Sequence, residues 1–144
     1  TPLIIGGVSI PYPKGSKGHS DGDVLFHAIV DAILGALALG DIGEHFPSED
    51  NRWENANSKS FLEYAYNLMS DKGFSLGNLD ATIILQQPKL ISHIIEMRKN
   101  IASILHTEID SISVKATTTD EMGFTGKGSG IAATAVVLIH SHGN

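Results

Sequence analysis

Asp23, His27 and Asp31 recur at four-residue spacing within an otherwise apolar stretch. On a helix turning about 100° per residue they fall within one arc of roughly 80°. Around them stand Leu25, Phe26, Ile29, Val30, Ile33, Leu34 and Leu37. A helix that is apolar over most of its circumference is largely buried. Charge on such a helix is costly unless it is paired, hydrogen-bonded or bound to a metal. Two arrangements meet that requirement. One is a satisfied Asp-His-Asp hydrogen-bond cluster. The other is a metal or catalytic site, in which an Asp one turn from His27 orients the imidazole. Just upstream, His19-Ser20-Asp21-Gly22-Asp23 places a His, a Ser and backbone amides at a helix N-terminus. That setting suits a plain N-cap loop or a phosphate.

Composition narrows the chemistry further. The 144 residues include no cysteine, so any metal must be held by His, Asp or Glu. Net charge is −6, with 16 acidic against 10 basic residues, and the basic ones are scattered. Nucleic-acid binding needs clustered cations and is not expected. No apolar run reaches the length of a membrane span, and no signal or transit peptide is visible. An acidic chain that handles phosphates must borrow positive charge from metal ions, helix N-termini and amides.

The elements that must position these residues follow from local pattern. Leu3 to Ile10 reads as a hairpin turning at Gly6-Gly7. A helix is expected from near Ser20, which has capping-box spacing to Asp23, to about Leu39, with Gly40 as its stop. Residues 41–57 read as a long polar loop, often functional in compact domains. A second helix spans Ser58 to Lys72, with Phe61, Leu62, Ala65, Leu68 and Met69 on one face. A strand follows at Leu79–Leu85, then a third helix at Lys89–Leu105, with Ile91, Ile94, Ile95, Ile101 and Leu105 as its apolar face. Strands at Ile112–Ala116 and Ile131–Ile139 flank a Gly- and Thr-rich loop. The expected fold is α/β in the loose sense, or α+β. It is one domain over residues 1–144, with a mixed four-stranded sheet and three helices packed on one face.

Three blocks resemble one family along essentially the whole chain. They are His19-Ser-Asp-Gly-Asp-Val24 with His27 and Gly35 to Pro47, then Gln87-Pro88-Lys89, then Val114 to Thr119 with Gly123-Phe-Thr-Gly126. Their sequence and spacing are similar to those of 2-C-methyl-D-erythritol 2,4-cyclodiphosphate synthases of non-mevalonate isoprenoid biosynthesis. The resemblance implies a lyase acting on phosphorus–oxygen bonds. In the family, the 2-phosphate of 4-diphosphocytidyl-2-C-methyl-D-erythritol 2-phosphate attacks the β-phosphate, CMP leaves and a cyclic diphosphate forms. This is mainly positioning and charge neutralisation, with no protein nucleophile.

By resemblance His27 is a ligand of zinc (Zn2+), and Asp120, with Glu121 beside it, holds a second divalent cation, Mg2+ or Mn2+. His19 and Ser20 contact substrate phosphate, and Asp41 the methylerythritol hydroxyls. Leu85, Lys89 and Leu90 line the cytidine pocket. Ala116, Thr117 and Thr118 meet the nucleotide's phosphates or base, and His19, Ser20, Asp41 and Thr118 form the catalytic set. The family is homotrimeric with active sites between subunits, and Phe124 points toward the three-fold cavity, where Lys127 would supply charge. The implied location is cytoplasmic in a bacterium, or the plastid or apicoplast stroma in a eukaryote.

The chain departs from the family pattern at several places. The Asp-x-His that supplies the other zinc ligands is absent from these residues; its expected place is upstream of Thr1, in a further N-terminal segment. Ser48 stands where Asp is usual, Asp120 where Glu is usual, Lys127 where many members have Arg, and Thr134 where Glu is frequent. Lys lacks the bidentate fork of Arg, which bears on diphosphate binding in the central cavity. The alternatives are another metal-dependent nucleotide phosphodiesterase, or a trimeric binder of isoprenoid diphosphates that has lost catalysis. Outside these blocks, residues 123–130 look superficially like a phosphate loop but lack Walker A spacing. His45 lies in the long loop and reads first as a plain loop residue, with approach to substrate as the lesser reading. His93 and His106 read as surface or boundary residues, and His140 and His142 as an incidental pair two positions apart, with metal binding as the lesser reading.

Overall fold

The computed structural model describes residues 3–11, 22–47, 57–118 and 130–142. Strands β1 (Leu3–Ile5) and β2 (Val8–Ile10) form the expected hairpin. Gly6 and Gly7 both have positive φ, 61° and 76°, as a tight two-residue turn requires. A Cβ at Gly6 would stand 2.7 Å from Met97 Cγ, so the turn is also pressed against the core.

Helix α1 (Val24–Ala36) is shorter than expected at both ends. Its N-cap is Asp23, which accepts from the amides of Leu25 and Phe26; Ser20 lies outside the described residues. At the other end Ala38, not Gly40, makes the stop. Ala38 has φ 57°, and the Leu39 amide returns to the Leu34 carbonyl at 2.9 Å, which is the 6→1 closure of a Schellman motif. A short helix, α2 (Ile42–His45), interrupts the segment expected to be loop. Helix α3 (Ser58–Asp71) begins where expected, capped by Asn57, and buries Leu62, Ala65 and Met69.

Strand β3 (Phe74–Leu85) begins at Phe74 rather than Leu79. Its pairing continues past a register shift between Leu76 and Asn78. At Gly77 between them, a Cβ would stand 3.1 Å from the Leu138 carbonyl oxygen, so the absent side chain admits the partner strand. The third expected helix is divided into a 3-10 turn at Ile91–His93 and α4 (Ile94–Ile104). Ile91 and Ile95 are 85% and 49% exposed, so they do not belong to the core face assigned to them; Ile101 and Leu105 do. Strands β4 (Ile112–Thr117) and β5 (Ile131–Ser141) complete the described elements.

The main sheet has the order β4-β3-β5, with β3 parallel to β4 and antiparallel to β5. It is mixed, as expected, but has three strands rather than four among the described residues. Among the described residues the three-residue strands β1 and β2 pair with each other as a separate ladder. Helices α1, α3 and α4 pack on β5, β3 and β4 respectively. The inward residues Leu79, Ala81, Ile83, Ile112 and Val114 join Leu25, Ile29, Ile33 and Met97 in one core. On β5, Val136 and Leu138 remain 72% and 62% exposed. Among the described residues no helix is long and apolar enough to cross a membrane.

Candidate functional site

The three polar residues of α1 do not form one cluster. Asp23 is buried and serves the backbone. Its Oδ1 accepts from the amides of Gly6, Leu25 and Phe26 at 2.9, 3.1 and 3.1 Å, and its Oδ2 from Gly7 at 2.8 Å. Burial pushes its pKa above the ordinary carboxylate value, while the amides of Phe26, Gly7 and Gly6 pull it back. Asp31 is exposed and accepts from the Ile42 amide at 2.9 Å, tying α2 to α1.

His27 is half-buried against Phe61, with ring centroids 5.8 Å apart. Its Nε2 lies 3.1 Å from Ser58 Oγ, which also accepts the Asp23 amide at 3.1 Å. No described residue hydrogen-bonds to Nδ1. Burial holds the imidazole below its ordinary pKa, against the opposing pull of Asp23 and Asp31. A neutral ring with one nitrogen engaged and the other unclaimed fits a metal as one donor. Among the described residues, no group of three or more His, Asp or Glu is gathered to hold an ion. Ser58 carried no sequence signal, because its contact with His27 spans 31 positions.

Asp41 is exposed and caps α2, accepting from the Glu44 amide at 3.0 Å. His45 has a partner at each ring nitrogen. Nε2 is 2.7 Å from the Leu39 carbonyl and Nδ1 is 3.3 Å from the Tyr64 hydroxyl. Phe46 packs between Phe61, tilted at 4.4 Å between centroids, and Tyr64, edge-on at 5.0 Å. These contacts fix the segment that presents Asp41.

The nucleotide residues expected from sequence come together. Leu85, Lys89, Leu90, Ala116, Thr117 and Thr118 all line one cavity of about 820 Å³. It opens at the carboxyl ends of the parallel strands β3 and β4, beside the start of α4. Leu85 and Leu90 are buried in its floor, whereas Lys89, Ala116 and Thr117 are exposed at its mouth. Thr118 Oγ1 donates to Gln86 Oε1. Arg98, also in the wall, was not singled out from sequence. Its Nε donates to the Ile112 carbonyl at 2.7 Å and Nη2 to the Ile109 carbonyl at 3.1 Å, so it braces the start of β4. Apolar walls with a few hydroxyls and a cation suit a planar base attached to phosphate. The cavity lining and the neighbours of His27 share no described residue. His19, Ser20, Asp120, Phe124 and Lys127 lie outside the described residues.

A cavity of this size at the carboxyl ends of adjacent parallel strands marks a small-molecule-binding α+β domain. A family model described as the YgbB family matches residues 1–140, and the chain belongs to that family. It is 60% identical over 137 residues to the 2-C-methyl-D-erythritol 2,4-cyclodiphosphate synthase of Alkaliphilus oremlandii, covering 95% of this chain and 87% of that protein. It is 56% identical over 137 residues to the synthase of the same name from Clostridioides difficile, covering 95% and 85%. A solved structure of 2C-methyl-D-erythritol-2,4-cyclodiphosphate synthase in a CDP-bound form matches with a TM-score of 0.88 at 35% identity, covering 97% of this chain and 91% of that one.

Proposed function

We propose that this chain converts 4-diphosphocytidyl-2-C-methyl-D-erythritol 2-phosphate to 2-C-methyl-D-erythritol 2,4-cyclodiphosphate and CMP. The observation that carries this reading is identity above half, over nearly the whole chain, to synthases named for that product. In the reaction an oxygen of the 2-phosphate bonds to the β-phosphorus. The bond from that phosphorus to the CMP oxygen breaks, and CMP takes the electron pair. No protein atom need bond to phosphorus, which leaves the chain to fold the substrate back on itself and neutralise charge.

Residue roles follow within this proposal. Leu85 and Leu90 enclose the cytosine, while Lys89, Ala116, Thr117 and Thr118 bind the nucleotide's remaining edges and phosphates. Asp41 accepts from a methylerythritol hydroxyl, and His19 and Ser20 contact the phosphate. His27 would be one ligand of zinc, and Asp120 would hold Mg2+ or Mn2+. Bound cations would offset the negative charge that gathers on the phosphates. The separation of His27 from the cavity favours an active site shared between subunits, in which one protomer supplies the nucleotide pocket and its neighbour the His27 side. The bare Val136 and Leu138 on β5 support a homotrimer built on that sheet face. Phe124 and Lys127 would then line its axis. The bacterial relatives make the cytoplasm the expected compartment.

The test is to incubate the full chain with the diphosphocytidyl phosphate substrate, Mg2+ and zinc, and to follow products by mass spectrometry. Equal amounts of CMP and cyclic diphosphate are expected, with turnover lost on chelation and restored by metal. CMP accompanied by a linear product would identify a phosphodiesterase instead.

A further inference from the structure

We propose that Ser58 is a positioning residue for His27. Its Oγ accepts the Nε2 proton of the imidazole, which leaves Nδ1 unprotonated as the nitrogen able to donate to a metal ion. The inference rests on the reading of His27 as a metal ligand.

The geometry supplies the reason. Ser58 is the first residue of α3, anchored beside its cap Asn57. Its Oγ already accepts the Asp23 amide at 3.1 Å, which fixes where the oxygen sits. A hydroxyl has two acceptor lone pairs, so one remains for His27 Nε2 at 3.1 Å. A neutral imidazole carries a single N–H, and the bond made by one nitrogen decides which nitrogen is left bare. Phe61 limits the swing of the ring from the side. The Asp23 amide is itself held in place, because its side chain is bound by the amides of Gly6 and Gly7. A line of contacts therefore runs from the hairpin turn through Asp23 and Ser58 to the imidazole.

Loss of such an outer partner typically lowers metal affinity about 10- to 100-fold. Ser58→Ala in the full chain should weaken zinc binding by that factor, read by competition with a chromophoric chelator rather than by turnover. Ser58→Thr, which keeps the hydroxyl, should restore most of it. In the metal-free protein, nitrogen NMR of His27 should show the Nε2–H tautomer, and Ser58→Ala should shift it toward a mixture. His27→Ala is the reference and should abolish the site. If His27→Ala still binds zinc at full stoichiometry, the ligand reading fails, while the tautomer measurement still decides whether Ser58 holds the ring. If His27→Ala loses zinc but Ser58→Ala binds as tightly as the parent, Ser58 only ties α3 to α1 and the proposal is overturned. Equal weakening by Ala and Thr would assign the effect to packing and overturn it too. Should Ser58→Ala not fold, the spectrum of the parent protein suffices, since an Nδ1–H tautomer contradicts the proposal.

Discussion

The carboxylate of Asp23 accepts the amide of Gly6 at 2.9 Å across 17 positions of sequence, while capping the helix that Asp23 itself begins. One side chain therefore joins the hairpin to α1. Replacing it with Ala removes an N-cap, worth about 1 kcal/mol. It also leaves the turn amides without their acceptor, at about 1–3 kcal/mol for a buried group. Asp23→Ala should lose about 3 kcal/mol in urea unfolding. Asp23→Asn, which keeps one acceptor oxygen, should lose less. An Ala variant as stable as the parent would mean that water replaces the carboxylate at no cost.

The proposed nucleotide pocket can be closed without disturbing the core. Ala116 is exposed at the mouth of the cavity and contributes nothing to the buried cluster. Ala116→Trp should raise the Kd for CDP at least about tenfold, or about 1.4 kcal/mol, with an unchanged urea midpoint. Calorimetry would read the affinity. Parent-like binding by a folded variant would place the cytidine elsewhere.

Much of this arrangement was legible before the structure. The hairpin at Gly6-Gly7 and the start of α3 followed from local pattern, because turn glycines and the apolar period of a helix act over a few residues. The cavity residues were recognised as blocks, and the sheet gathers them because Leu85 and Thr117 end parallel neighbours. What local pattern misread was long-range. The four-residue spacing of Asp23, His27 and Asp31 allowed a single cluster, but each side chain reaches a different segment: the hairpin, α3 and α2. Ile91 and Ile95 fit a helical core face by spacing. The 3-10 turn at Ile91–His93 and the late start of α4 instead leave them on the cavity wall. The helix stop was misplaced because Ala38 adopts the backbone conformation normally left to glycine.

Stability of the metal-free protein should carry a His27 signature. The folded chain holds this imidazole below its ordinary value of 6.5. Above that value the ring is neutral in both folded and unfolded chains, and its contribution is fully present. As pH falls past it the unfolded chain takes the proton first, so stability is lost until pH passes the depressed folded value. Urea unfolding from about pH 8 to about pH 5, compared between the parent and His27→Asn, should show the extra acid-side loss only in the parent. Identical pH slopes would refute an imidazole held neutral by burial.

The proposed trimer makes its own prediction. Val136 is exposed on the protomer, so a charge there should cost little folding stability, within about 0.5 kcal/mol. If the face is covered by neighbours, Val136→Asp should split the assembly into protomers that keep their circular dichroism. Sedimentation of parent and variant decides the matter. A variant that sediments like the parent would move the subunit contact to another face.

Strand β5 runs for 11 residues with no proline and no formally charged side chain, and among the described residues it is laddered on one side only, to β3. Natural sheets usually blunt so long an open margin with lysine, proline or a bulge. β5 carries neither lysine nor proline, and the one register shift in its pairing lies near its far end, opposite Leu76 and Asn78, so most of the margin is unprotected among the described residues. Until a neighbour or another segment covers it, the strand can recruit any extended segment that passes. If the proposed trimer is what covers it, yield in a cell should depend on how quickly protomers meet as well as on how stably each one folds.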